Sequence, residues 1–254
     1  MITSTTSQQS KATTQTAHSK IPSIIAAVIC LIFALWSTLW FWSAVLTVRP
    51  ETVITQWEEK QEEIKPELAQ KMIARLKQSI AINPIDANSH LLMAKYYQWL
   101  ANNSSSAKTN NINISKNQYT ALAEQAFKNA IKHQPSGYYA WAKLAQFYSN
   151  QQPLNQAKLK PALSNAMLLG PFEQRSRLIL IPLLFKHWSL IANNTEDMAQ
   201  ATKIIKLALK TSNSLLTLNS AKTYQKLAEI TPLLTKQWHK NFAKKHIKET
   251  ANDQ

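Results

Sequence analysis

Residues 123–148 read AEQAFKNAIKHQPSGYYAWAKLAQFY, and this stretch decides the fold. Ala123, Phe127 and Ala130 fall at helical spacing and put small, large and small side chains on one face. Pro135 has no backbone N–H and disfavours helical geometry in the residue before it, so one helix ends there. Beyond the turn, Trp141, Leu144, Ala145 and Tyr148 again share a helix face. The small Ala residues let the two helices approach closely, while Trp141 and Tyr148 are large enough to fill the space between neighbouring pairs.

The pattern recurs along the chain. Leu76 to Tyr97 reads LKQSIAINPIDANSHLLMAKYY, with Ile80 standing before Pro84 as Ile131 stands before Pro135. Met93, Ala94 and Tyr97 follow Pro84, although His90 occupies the place that Trp141 holds in the other unit. A weaker copy runs from Leu159 through Ala166 and Gly170-Pro171 to Leu180, and a fourth spans Ala201–Asn213, with Asn213 in place of the proline. Pro135 and Pro171 lie 36 positions apart. This pattern resembles the tetratricopeptide repeat, a helix–turn–helix unit of about 34 residues. The resemblance implies a right-handed stack of antiparallel helix pairs, an α-solenoid. Its packing positions are Pro84, Ala94, Tyr97, Ala123, Phe127, Ala130, Pro135, Trp141, Leu144, Ala145, Tyr148, Gly170 and Pro171.

Composition agrees with an all-α chain. Only two glycines, Gly137 and Gly170, occur in 254 residues, too few for the turns of a sheet or barrel. Helix formers dominate from about Val53 onward. The expected organisation is a disordered tail over 1–20, an apolar helix over 21–48, a repeat domain over 51–248 and a frayed end over 249–254. An Asn/Ser-rich insert at 102–117, NNSSSAKTNNINISKN, reads as a surface loop inside the domain. A second loop is expected over Asn193–Asp197.

The apolar helix is the other dominant feature. From Ile21 to Val48 the chain reads IPSIIAAVICLIFALWSTLWFWSAVLTV, without a charge. About 20 residues suffice to cross a hydrocarbon core of about 30 Å. Trp36, Trp40, Phe41 and Trp42 crowd toward its downstream end, as an interfacial aromatic belt would. The run is about twice the length of a signal-peptide core, so it reads as an uncleaved anchor. Upstream lie Lys11 and Lys20 with no acid; downstream comes an acidic stretch, Glu51 to Glu67. That balance predicts a cytoplasmic N-terminus, with the bulk of the chain on the other side of the membrane. The single cysteine, Cys30, lies within the apolar run and permits no intramolecular disulfide.

Together with the segment Leu168-Leu169-Gly170-Pro171-Phe172-Glu173-Gln174-Arg175, these features resemble a narrower group. It comprises single-pass, repeat-containing membrane proteins associated with bacterial exopolysaccharide biosynthesis, the Vibrio-polysaccharide P-type family. In this chain Gln174 stands where that family has proline. The resemblance implies a non-catalytic adaptor for polysaccharide polymerisation or export, single-pass in the bacterial inner membrane with its C-terminal domain periplasmic, and with inner-membrane or periplasmic proteins as partners. The usual groove positions of the repeat carry over to Asn88, Leu91, Lys95, Gln98, Tyr139, Gln146 and Asn150. A maturation factor or chaperone for exported envelope proteins is the alternative, and an envelope enzyme a second one.

No motif for chemistry accompanies this pattern. Two isolated glycines cannot build a phosphate loop, and six dispersed histidines form neither HExxH nor a paired-cysteine site. His239 and His246 are expected as solvated side chains. Neither a catalytic site nor a metal or other cofactor is expected. The charge is strongly one-sided, +15 overall with a pI near 9.8. Lys236, Lys240, Lys244, Lys245 and Lys248 form a basic C-terminal cluster suited to anionic lipid headgroups or acidic glycan. Nucleic acid is not an expected partner.

Overall fold

The computed structural model describes residues 21–60, 64–103 and 115–252. The expected tail at 1–20 and the middle of the Asn/Ser insert lie outside these residues. Among the described residues all regular structure is helical. The helices are α1 (Ile21–Lys60), α2 (Pro66–Ile82), α3 (Ala87–Asn103), α4 (Lys116–His133), α5 (Tyr138–Ser149) and α6 (Gln156–Leu169). There follow α7 (Gln174–Lys186), α8 (Trp188–Ala192), α9 (Thr195–Lys210), α10 (Ser214–Thr223), α11 (Leu227–Ile230) and α12 (Gln237–Asn252), with a 3₁₀ turn at Thr231–Leu233.

Successive helices pack as pairs: α1 with α2, α3 with α4, α5 with α6. Odd-numbered helices also touch one another, α1 with α3 and α5 with α7, so they form one layer and α2, α4 and α6 the other. One continuous core runs from Ile54 on α1 to Ala243 on α12. Its fully buried large side chains include Met72, Leu76, Tyr96, Phe127, Leu163, Leu180 and Phe185.

The turns between pairs are built alike. Asn83, Gln134 and Gly170 each donate a backbone N–H into the helix just ended, to Ser79, Ala130 and Ala166. Asp86, Gly137 and Glu173 then donate back to Asn83, Gln134 and Gly170. Six positions past each proline a side-chain nitrogen reaches that proline's carbonyl: His90 Nε2 at 3.0 Å from Pro84 O, Trp141 Nε1 at 2.9 Å from Pro135 O, and Arg177 Nη1 at 3.5 Å from Pro171 O. His90 thus does the hydrogen-bonding work of the aromatic residue expected there. The fourth hairpin, α9–α10, closes differently, by Ser214 N–H to Thr211 O at 3.2 Å.

Gly170 lies where two of these pairs meet. A Cβ there would stand 2.7 Å from Tyr138 Cβ and 3.0 Å from Ser176 Oγ. Gly170→Ala is therefore expected to destabilise the stack by about 1–3 kcal/mol. The readout is a lower urea midpoint of the detergent-solubilised chain, and an unchanged midpoint would contradict this packing.

Four expected boundaries differ in the structure. The loop over 102–117 has helical ends: Asn102 and Asn103 belong to α3, Lys116 and Asn117 to α4. The break between residues 48 and 51 is absent, because α1 continues unbroken through Pro50. Its stripe Ser43, Thr47, Pro50 and Ile54 is buried, although every residue between Ile24 and Trp42 is exposed. Ser43 Oγ lies 2.8 Å from Ser79 Oγ on α2, which lies 3.0 Å from Ser89 Oγ on α3. Tyr96 donates its hydroxyl to Pro50 O at 2.7 Å. These contacts carry the helix past a residue that normally ends one. The Asn193–Asp197 loop shrinks to its first residues, because the Asn194 side chain accepts the N–H groups of Glu196 and Asp197 and starts α9. The C-terminal end is helical to Asn252 rather than frayed from 249.

Candidate functional site

Helices α1, α3, α5 and α7 line an open concavity of about 1010 Å³. All seven groove positions inferred from the repeat line it: Asn88, Leu91, Lys95 and Gln98 from α3, Tyr139 and Gln146 from α5, and Asn150, which caps the end of α5. They converge because α3 and α5 each open after a proline turn of the same geometry. Corresponding helix faces therefore point the same way.

Sequence reading missed the residues that organise its charge. Glu58 on α1 accepts Lys95 Nζ at 2.8 Å and Lys143 Nζ at 2.9 Å. Lys95 also donates to Tyr139 Oη at 3.3 Å, and both ammonium groups lie over the Tyr139 ring, 5.2 and 5.6 Å from its centre. Lys143 was recognisable, since it stands four residues after Tyr139 on the same face. Glu58 was hidden, because its place in the groove depends on α1 running on past Pro50. Arg175, Leu178 and Ile179 of α7 complete the far wall.

Burial disfavours the charged form of Glu58, but Lys95 and Lys143 together outweigh it and hold the carboxyl below its ordinary value of 4.5. A group depressed on folding adds stability that is complete above the unfolded value and lost as pH falls through the folded one. Acidification below about pH 4.5 is therefore expected to loosen the α1–α3–α5 wall first. Fluorescence of Trp57, which lines the groove, should change before far-UV circular dichroism does. Burial likewise raises Tyr139, which keeps its hydroxyl protonated across the neutral range.

The remaining polar clusters are structural. Ser149 Oγ and His187 Nε2 lie 2.7 Å apart with both side chains buried, and they clasp the end of α5 to α7. Glu124 gathers Lys128 and Lys158, each at 2.8 Å, on the opposite layer. Asp86 and Glu196 are helix-start residues. His239 is fully buried against Trp238, so its expected exposure to solvent is overturned. The side chain turns inward with Ala243 on the apolar face of α12. Among the described residues, no three His, Cys, Asp or Glu gather in one place.

The C-terminal lysines lie apart from the groove. Lys236 precedes α12, and Lys240, Lys244, Lys245 and Lys248 are exposed along it. Alpha-12 packs on α10 and α11, at the end of the stack away from α1.

The groove is thus a wall of amides and paired charges with the Trp57 and Tyr139 rings and a few aliphatic side chains, on a helical frame. Its chemistry is hydrogen bonding and charge pairing along an extended surface. Comparisons with protein-family models, curated proteins and solved structures find no match to this chain, so its function is read from this geometry.

Proposed function

We propose that the protein is a membrane-anchored, non-catalytic adaptor of tetratricopeptide-like architecture whose concave groove holds a segment of a partner protein. The observation that carries this reading is the convergence of seven repeat-derived positions on one polar concavity. A helical solenoid presents such a surface to peptides and partner helices. The anchor is the apolar part of α1, which has a mean hydropathy of 2.4, lies wholly exposed, and is long and apolar enough to cross a bilayer. Charge balance around it favours a cytoplasmic N-terminus and a periplasmic groove.

The partner proposed is a component of polysaccharide polymerisation or export. The likeness of residues 168–175 to exopolysaccharide-associated proteins supports this choice. A photo-crosslinking residue at Gln98 or Gln146, in native membranes, should capture one envelope protein of that class. The same group at Lys128, on the outer layer, should capture none. Equal labelling from both faces would sink the groove assignment. Capture of export clients, with unchanged secreted polymer on gene deletion, would favour a maturation factor instead.

A further inference from the structure

Alpha-1 and α2 run antiparallel, and Ser43 Oγ meets Ser79 Oγ at 2.8 Å. The chain leaves α2 only three residues later, at Ile82. At about 1.5 Å per residue, the Asn83–Asp86 turn begins level with Leu39, next to Trp40 of α1. Ile24 to Ser43 is already about 30 Å of helix, so in an anchored chain this level is the bilayer interface. The turn projects Ile85, 58% exposed, beside the aromatic belt.

The other proline turns continue the same edge. The His90 and His133 rings stack at 5.2 Å, which ties the first turn to the end of α4. Tyr138, just past the second turn, bonds Glu173 at 3.3 Å beside the third. That third turn carries Phe172, 64% exposed, with exposed Leu168 and Leu169 before it. Lys203 Nζ of α9 lies 4.7 Å from the centre of the Phe172 ring. Exposed Lys132 ends α4 between the two apolar tips. Apolar tips flanked by ammonium groups match a phospholipid interface, where apolar side chains enter the acyl boundary and cations meet phosphates.

We infer that this row of proline turns is a second membrane contact: Ile85 and Phe172 insert into the headgroup layer of the bilayer that α1 crosses, and the stack lies against the membrane on that edge. The inference rests on the anchor reading above. The contact fixes the groove at a set height and tilt over the bilayer, so that a membrane-embedded partner can reach it.

The test uses the full chain with Cys30→Ala and single-cysteine variants Ile85→Cys, Phe172→Cys and Asn117→Cys. Each carries an environment-sensitive nitrobenzoxadiazole label. The chains are reconstituted into vesicles of phosphatidylethanolamine and phosphatidylglycerol containing a lipid spin-labelled just below the headgroup. Asn117, exposed at the far end of α4, is the aqueous reference. Labels at 85 and 172 should be blue-shifted and quenched several-fold more than the label at 117. Chains that float with the vesicles but show equal, weak quenching at all three sites overturn the edge contact alone. Chains that fail to float overturn the anchor, and the edge contact with it.

Discussion

Phe127→Ala should cost the helical stack about 3–5 kcal/mol. Phe127 is fully buried on α4, with its ring 5.5 Å from that of Phe147 across the pair interface. Ala123, Ala126 and Ala130 surround it on the same helix, all nearly or fully buried. Small neighbours on a rigid helix cannot swing in to fill the cavity, which keeps the penalty high. Domains of this size are commonly stable by about 5–15 kcal/mol, so the change removes a large share of the total. A urea titration of the detergent-solubilised chain should show an earlier transition. Phe127→Leu, which keeps most of the volume, should recover most of the loss. A midpoint within error of wild type for the alanine variant would refute the packing.

Glu58→Lys should be the next most damaging change, at about 3 kcal/mol. The Lys95 and Lys143 side chains that meet Glu58 are only 9% and 14% exposed. Charge reversal would leave three ammonium groups facing one another in a partly desolvated wall. Breaking such a pair from one side is costlier than replacing both partners by apolar groups. Glu58→Gln keeps an acceptor for the lysines and should lose less. Glu58→Met combined with Lys95→Met should be milder than Glu58→Met alone, which leaves both lysines without their carboxylate, and a double-mutant cycle resolves the difference. A Glu58→Lys chain that melts like wild type would mean that the triad is solvated and does not organise the groove.

How far the sequence carried this structure varies by element. The proline turns were legible because their chemistry is local: a missing N–H and, before Pro135, a small-large-small helix face. The groove positions came with the resemblance to the repeat, and the structure brings them together because equal turns point equal faces in one direction. Alpha-1 was legible as an apolar span but not as the first wall of the groove. Its buried stripe of Ser43, Thr47, Pro50 and Ile54 looks like ordinary membrane and boundary sequence until Ser79 and Tyr96 are known to meet it. That information is tertiary, from residues more than thirty positions away. Glu58 was hidden for the same reason. His239 was misjudged because lysines dominate α12, whereas only every third or fourth residue of a helix decides which face is buried.

The central claim is that one unbroken helix both crosses the membrane and forms the first wall of the groove. Cross-linking Ser43→Cys to Ser79→Cys in a Cys30→Ala chain tests it most directly, in native membranes under mild oxidation. The two hydroxyl oxygens are 2.8 Å apart, so an intramolecular disulfide should form in most chains and be found by mass spectrometry as one linked pair of peptides. Membrane-inserted chains in which both thiols stay free and react with maleimide would contradict it.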